Sequence, residues 1–390
     1  MCNNDVQHQD TVDYIPSKDR ATNWDIAGFV ISIVSHLVDV GFDLSLAYQY
    51  YLGEHPIYFY LTLAFILIPA LVNTAFSIRL YYLSQDEKKT LTKKFTKRKL
   101  CYIVVLIFQL APVLRYFDAL RYAIKSKRAA KLGDIHNQRK YYLLMIREDS
   151  DIALLRVLEC FLEAAPQQIL QMAIIFSTHG RGVLDESNPY IYFQLLSIGS
   201  SFASMAWSMA SYHRLIRVSL INKNNISWGG TAMQFMWHFL VTVSRILCIS
   251  VVLSVLPLYT IIALTFHWII MVLWLHLSNK TTNFCDNNKF YEFFFYVVFA
   301  TVYIFTHISL SEGKTLLRYI FFYTILFAEN LVATVSWILK ADETLKTTVF
   351  YTPIVYGNFV TFFLGIMFMI LYYKVCHPST GCISKTAEDS

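Results

Sequence analysis

The residues of this chain whose types and spacing could do chemistry are ionisable ones set inside apolar blocks. In the first block His36, Asp39 and Asp43 stand at i, i+3 and i+7, which places them on one face of a helix. In the block at 151–178, Arg156, Glu159, Glu163 and Gln167 repeat that geometry at i, i+3, i+7 and i+11. Glu329 and Asn330 lie in the middle of a later block and Asn73 inside the second, while Arg79 and Arg245 lie nearer block ends or in apolar surroundings. A central Asp or Arg costs about 2.5–3.5 kcal/mol on a membrane-insertion scale. Asp39, Asp43, Glu159, Glu163 and Glu329, all facing lipid, would cost on the order of 12–17 kcal/mol, more than the usual net stability of a domain. They must pair with one another or line something wet. Pairing predicts structural ion pairs, such as Arg156 with a neighbouring acid, that fix which helix packs on which. Two aligned stripes on separate helices favour a polar path, and the stripes leave open whether ions, solutes or lipid head groups travel along it.

No catalytic signature competes with that reading. The sequence holds no Gly-x-Ser-x-Gly elbow, no His-Glu-x-x-His and no Gly-rich phosphate loop, so no enzyme activity and no catalytic residue are expected. The seven cysteines show neither metal-ligand spacing nor a disulfide framework, and no metal or other cofactor is expected.

The elements that position these residues follow from composition. The chain is 56% hydrophobic and 16% aromatic and only 15% charged, against about a quarter charged in soluble domains. Its apolar residues come in ten blocks, near 26–52, 57–83, 100–124, 151–178, 190–219, 231–256, 258–279, 290–311, 315–340 and 350–374. About 20 apolar residues cross the hydrocarbon core, and most blocks qualify. The third does not: its uninterrupted apolar part runs from Leu100 to Leu114, holds Pro112, and is followed by Arg115 and Asp118. If the third and eighth blocks dip in and return to the cytosolic side, nearly all Lys and Arg fall in cytosolic stretches, including those at 88–99 and 125–140. Arg181, Lys340 and Lys346 remain outside. The expected architecture is an all-α polytopic membrane protein with about eight transmembrane helices, two re-entrant or half-inserted helices, and two pseudo-repeats. Residues 1–25 read as a cytosolic disordered tail, 26–375 as the helical membrane domain with halves 26–220 and 231–375, and 376–390 as a short cytosolic tail.

Four stretches in this framework resemble the XK-related family of membrane proteins. They are QLAPVLRYFDALRYA (Gln109 to Ala123), LECFLEAAPQQILQ (Leu158 to Gln171), SYHRLIRVSLINK (Ser211 to Lys223), and SEGKTLLRY followed by AENLVATVSW (Ser311 to Tyr319 and Ala328 to Trp337). With Asp39 and Asp43 they keep order and spacing from about Trp24 to Val375. The resemblance implies a family containing caspase-activated phospholipid scramblases of the plasma membrane, which expose phosphatidylserine on dying cells. It also implies eight spans, two half-inserted helices and frequent pairing with a single-span immunoglobulin-type subunit. The lipid path would then run along Asp39, Asp43, Arg156, Glu159, Glu163, Gln167, Glu329 and Asn330, with membrane phospholipids as substrate. A homodimer is a further expected assembly, and no nucleic-acid partner is expected. The competing readings are a solute transporter or channel with a closed aqueous cavity, and a non-conducting scaffold for a lipid-transfer protein.

The N-terminal tail supplies a candidate switch. Asp10-Thr11-Val12-Asp13 is the single Asp-x-x-Asp of the sequence, and executioner caspases favour that pattern in an exposed, flexible segment. Asp10 and Asp13 are therefore the expected caspase site.

Overall fold

The computed structural model of the chain describes residues 21–83, 111–177, 190–219, 225–278, 288–308 and 316–377. Among these residues it is helical throughout, with no strand. The helices are α1 (Asn23–Leu52), α2 (Pro56–Leu83), α3 (Ala111–Lys131), α4 (Ile135–Glu159), α5 (Ala165–Ser177), α6 (Tyr190–Ser219) and α7 (Trp228–Val255). They continue with α8 (Pro257–Ser278), α9 (Lys289–Tyr303), α10 (Leu316–Lys340), the single turn α11 (Glu343–Lys346) and α12 (Tyr351–Leu371). Six of them, α1, α2, α7, α8, α10 and α12, are long and apolar enough to cross a membrane. The chain is an all-α, multi-pass membrane protein.

Local chemistry explains the boundaries that matter for the site. α1 opens on a capping box, in which the Thr22 hydroxyl accepts from the Asp25 amide and the Asp25 carboxylate accepts from the Thr22 amide. α3 and α4 form an antiparallel hairpin turned at Gly133, whose φ of +72° is the left-handed value that favours glycine after a helix. Asp134 caps α4, and hydrogen bonds from the Asn137 side chain and amide hold its carboxyl below the usual range. The stretch 125–140, expected as a basic loop, is thus helical on both sides of a three-residue turn. Hydropathy assigned it to a loop because it is polar, but a polar segment of good helix formers with a glycine and a capping Asp is a helical hairpin.

Between α4 and α5 the backbone makes one π turn, Cys160–Ala164, in which the Ala165 amide reaches the Cys160 carbonyl. Pro166 follows at once. Proline has no N–H for the carbonyl four residues back and its ring presses on it, so the helix takes in one extra residue instead of breaking. α9 is short. Its 15 residues make about 22 Å of helix, less than the about 30 Å hydrocarbon core, and the chain turns at Ile304 and Phe305. That fits a half-inserted element where the sequence places one, at 290–311. Of the other expected half-inserted block, 100–124, the part before Ala111 lies outside the described residues.

The core is aromatic and lies between α5, α6, α7, α9 and α10, around Trp237, Phe161, Phe299 and Phe322. α7 is the most enclosed of the candidate spans and α1 the least. α7 and α12 touch closely at Gly365, where an added Cβ would meet Val241 Cγ2 at 2.8 Å.

A polar seam and two arginine networks as the candidate functional site

The stripes meet. α1 lies mainly against α2 and α3, and the polar side chains of its inner face reach across to α4, the π turn and α5. His36, 3% exposed, places Nδ1 3.0 Å from Glu159 Oε1. One turn further along α1, Asp39 faces Glu159, Arg156 and His36 electrostatically. Asp43 stands in polar contact with Glu163 and Gln167. At the other end, Tyr116 of α3 joins Ser32 of α1 to Arg156 of α4. Six of the eight expected path residues, Asp39, Asp43, Arg156, Glu159, Glu163 and Gln167, therefore share one seam.

Exposure is graded across that seam. Asp39 is exposed at its rim, Asp43 and Arg156 are half-buried, and Glu163 and Gln167 are each 6% exposed at its floor. Glu159 Oε2 is buried and has no hydrogen-bond partner among the described residues. Buried polar atoms normally have a partner, so this oxygen is an acceptor with capacity to spare. The π turn lies between Glu159 and Glu163, at the middle of the stripe, where such turns recur in functional helices.

Glu329 and Asn330 are not in this seam. They belong to a separate network in the second half of the chain. Arg245 of α7 donates from Nη2 to Glu329 Oε2 at 2.5 Å and from Nη1 to Asn330 Oδ1 at 2.9 Å. Its Nε donates to the Ile304 carbonyl at 2.9 Å. His267 of α8 completes the group, with Nδ1 2.7 Å from Glu329 Oε1 and Nε2 3.1 Å from the Tyr303 carbonyl. Asn330 is locked further by Ser244 and Cys248. The carbonyls at the C-terminal end of α9, which a helix leaves without internal partners, are thus taken by two side chains balanced by one carboxylate.

A second arginine network pins α3. Arg115 is fully buried, donates to Ser77 Oγ and to the Ser77 carbonyl of α2, and places Nη1 2.9 Å from both Glu148 and Asp151 of α4. Its guanidinium lies over the Tyr81 ring at 4.0 Å, and Tyr81 in turn donates to Asp118. Arg79 stacks similarly on Tyr291, linking α2 to α9. Asn73 is buried in α2.

Sequence reasoning missed the partners more than the acids. His267 is one polar residue in an apolar helix, Arg115 reads as the charged exit of a block, and Arg245 reads as a residue near a block end or in apolar surroundings. The signal that finds Arg115 and Arg245 is charge balance: a long-range acid in a span needs a cation on another element. Asp10 and Asp13 lie outside the described residues.

The fold and these networks define a polytopic α-helical membrane protein whose charges among the helices are held in one seam and two arginine clamps. A model of the XK-related protein family matches residues 27–378, nearly the whole chain. The chain belongs to the XK-related family. It is similar to cell death abnormality protein 8 of Caenorhabditis briggsae, at 27% identity over 382 residues covering 94% of this chain and 81% of that protein. It is likewise similar to cell death abnormality protein 8 of Caenorhabditis elegans, at 26% identity over 393 residues covering 97% of this chain and 84% of that protein.

Proposed function

We propose that the chain is a phospholipid scramblase of the plasma membrane that exposes phosphatidylserine on the outer leaflet during apoptosis. The observation that carries this reading is the graded seam, with Asp39 exposed at the rim on α1, the least enclosed candidate span, and Glu163 of the π turn buried at the floor. A zwitterionic or anionic head group enters hydrocarbon only at high cost, whereas its tails already belong there. A polar stripe open to lipid on one side removes that cost without a closed cavity, a cofactor, a catalytic group or an energy source. The acids of α1 suit the ammonium of a head group and Arg156 suits its phosphate. The relatives named for abnormal cell death support the setting.

Under this reading both termini are cytosolic and an executioner caspase removes the tail at Asp13. A single-span immunoglobulin-type subunit or a second copy of the chain is the expected membrane partner. The test is reconstitution of the purified chain, starting at Tyr14, into liposomes carrying a fluorescent phosphatidylserine analogue, with a membrane-impermeant quencher added outside. Quenching beyond the outer-leaflet fraction is expected. Quenching that stops at that fraction rejects scrambling by this chain.

A further inference from the structure

Beside the aromatic core, α7 carries a polar stripe that neither the seam nor the two arginine clamps use. Gln234, His238 and Thr242 stand at i, i+4 and i+8 on one face of the most enclosed candidate span, each 3% exposed or less. Gln234 Oε1, His238 Nε2 and Thr242 Oγ1 are buried and have no hydrogen-bond partner among the described residues. Two further imidazoles come up to the stripe from other elements. The ring centroid of His213 of α6 lies 5.5 Å from that of His238, and His307 follows the turn at the end of α9. Both act electrostatically on His238. His213 Nε2 and His307 Nδ1 are likewise buried with no partner among the described residues.

Thr242 shows that the arrangement is specific. Other hydroxyls of α7 return to their own helix: Thr231 donates to the Ser227 carbonyl, Ser250 to Ile246 and Ser254 to Val251. The Thr242 hydroxyl makes no such bond and is turned away from the backbone. Native interiors pair buried polar atoms with protein or with ordered water, and an ordered water typically joins about three of them. An imidazole offers one donor and one acceptor nitrogen according to its tautomer, so each of the five atoms can be met by water. Eight residues of helix span about 12 Å and a hydrogen bond about 3 Å, so no single water serves both ends of the stripe.

We propose that Gln234, His238 and Thr242, with His213 and His307, hold a file of internal water molecules between α6, α7 and the turn after α9. The Thr306 hydroxyl, 3.3 Å from His238 Nδ1, lies two residues beyond the Ile304 carbonyl that Arg245 holds. The file therefore braces the same turn as the Arg245 clamp. It is separate from the α1 seam.

The test is hydroxyl-radical footprinting of the purified full chain in nanodiscs, with radicals generated by a synchrotron X-ray pulse. Radiolysis of a held water releases the radical in place, so side chains touching internal water are oxidised where bulk solvent does not reach. Oxidation of His213, His238 and His307, read by mass spectrometry of their peptides, is expected. Met271 of α8, fully buried and chemically more reactive toward the radical, should stay as in an unirradiated sample. Thr242→Val keeps the shape of the side chain and takes one partner from the file. It should lower the thermal midpoint by about 2–4 °C and reduce oxidation of His238. A Thr242 hydroxyl that meets no water gives the opposite sign, because its removal then relieves a buried unpaired group. Histidines no more oxidised than Met271, or a Thr242→Val midpoint equal to or above that of the parent, overturns the file. Lipid movement is not read in this experiment, so failure here leaves the scramblase reading standing, and failure of scrambling leaves the file standing.

Discussion

Arg245 on α7 and Glu329 on α10 meet at 2.5 Å, and the same guanidinium holds the Ile304 carbonyl beyond the end of α9. One side chain thereby fastens a candidate span and a half-length helix to the most enclosed of the candidate spans. Glu329 keeps 34% of its side chain exposed, so the pair is partly open on the α10 side.

Breaking that pair from the cation side should be costly. Arg245→Met leaves Glu329 with His267 alone and strips the Ile304 carbonyl, and a loss of about 3 kcal/mol is expected. Arg245→Met with Glu329→Met should recover most of it, because neither partner is then left charged. Thermal midpoints of the purified proteins in detergent, followed by size-exclusion, measure both. Equal losses for single and double variants would show that packing, not charge, is what Arg245 supplies.

Neutralising the seam should act on transport instead. Glu163→Gln, or Asp39→Asn together with Asp43→Asn, is expected to slow scrambling about tenfold, a change of about 1.4 kcal/mol in barrier. Surface expression should stay near the parent level. Loss of expression would mark these acids as structural pairs, and full expression with undiminished scrambling would remove that site from the path.

Arg115 provides the contrast. Arg115→Met removes the buried cation shared by Glu148 and Asp151 and should cost about 3–5 kcal/mol. The amount of folded protein at the cell surface is expected to fall sharply. The scrambling rate per surviving molecule should not change, which surface labelling and lipid-exposure assays on the same cells can separate.

The tail predicts a pair of opposite outcomes. Asp13→Ala should remain uncut and silent during apoptosis, and a chain starting at Tyr14 should expose phosphatidylserine without any caspase. Normal exposure by Asp13→Ala together with silence of the shortened chain would place the switch elsewhere.

Orientation can be read directly. An epitope after Ser390 and one within 84–99 should be inaccessible to antibody on intact cells, and one beside Asp185 should be labelled. Labelling of the C-terminal epitope on intact cells would undo the arrangement with two half-inserted elements.

How much of this was legible in sequence depended on range. Helical spacing is local, so the faces holding Asp39 with Asp43 and Glu159 with Glu163 could be read from periodicity, and the structure brings those faces together. The segregation of Glu329 from them could not, because nothing local says that its cations come from Arg245 and His267, 84 and 62 residues earlier. The α3–α4 hairpin was hidden for another reason. Hydropathy registers only apolar runs, whereas that hairpin is set by Gly133, Asp134 and the demand of one buried arginine for two carboxylates. The π turn was foreshadowed by Pro166, although proline predicts a disturbance without saying which.

The length of α1 has a mechanical consequence. Its 30 residues form a rod of about 45 Å, well beyond the about 30 Å hydrocarbon core, and it is the least enclosed candidate span. Such a rod meets hydrophobic mismatch by tilting, and the tilt is set by the helices packed against it. The opposite wall of the seam is carried by α4 and α5, which are braced from the far side by α6 and α7. α1 is held to that wall through His36 and Glu159 at 3.0 Å, so the extra length of the rod has to be taken up around this contact.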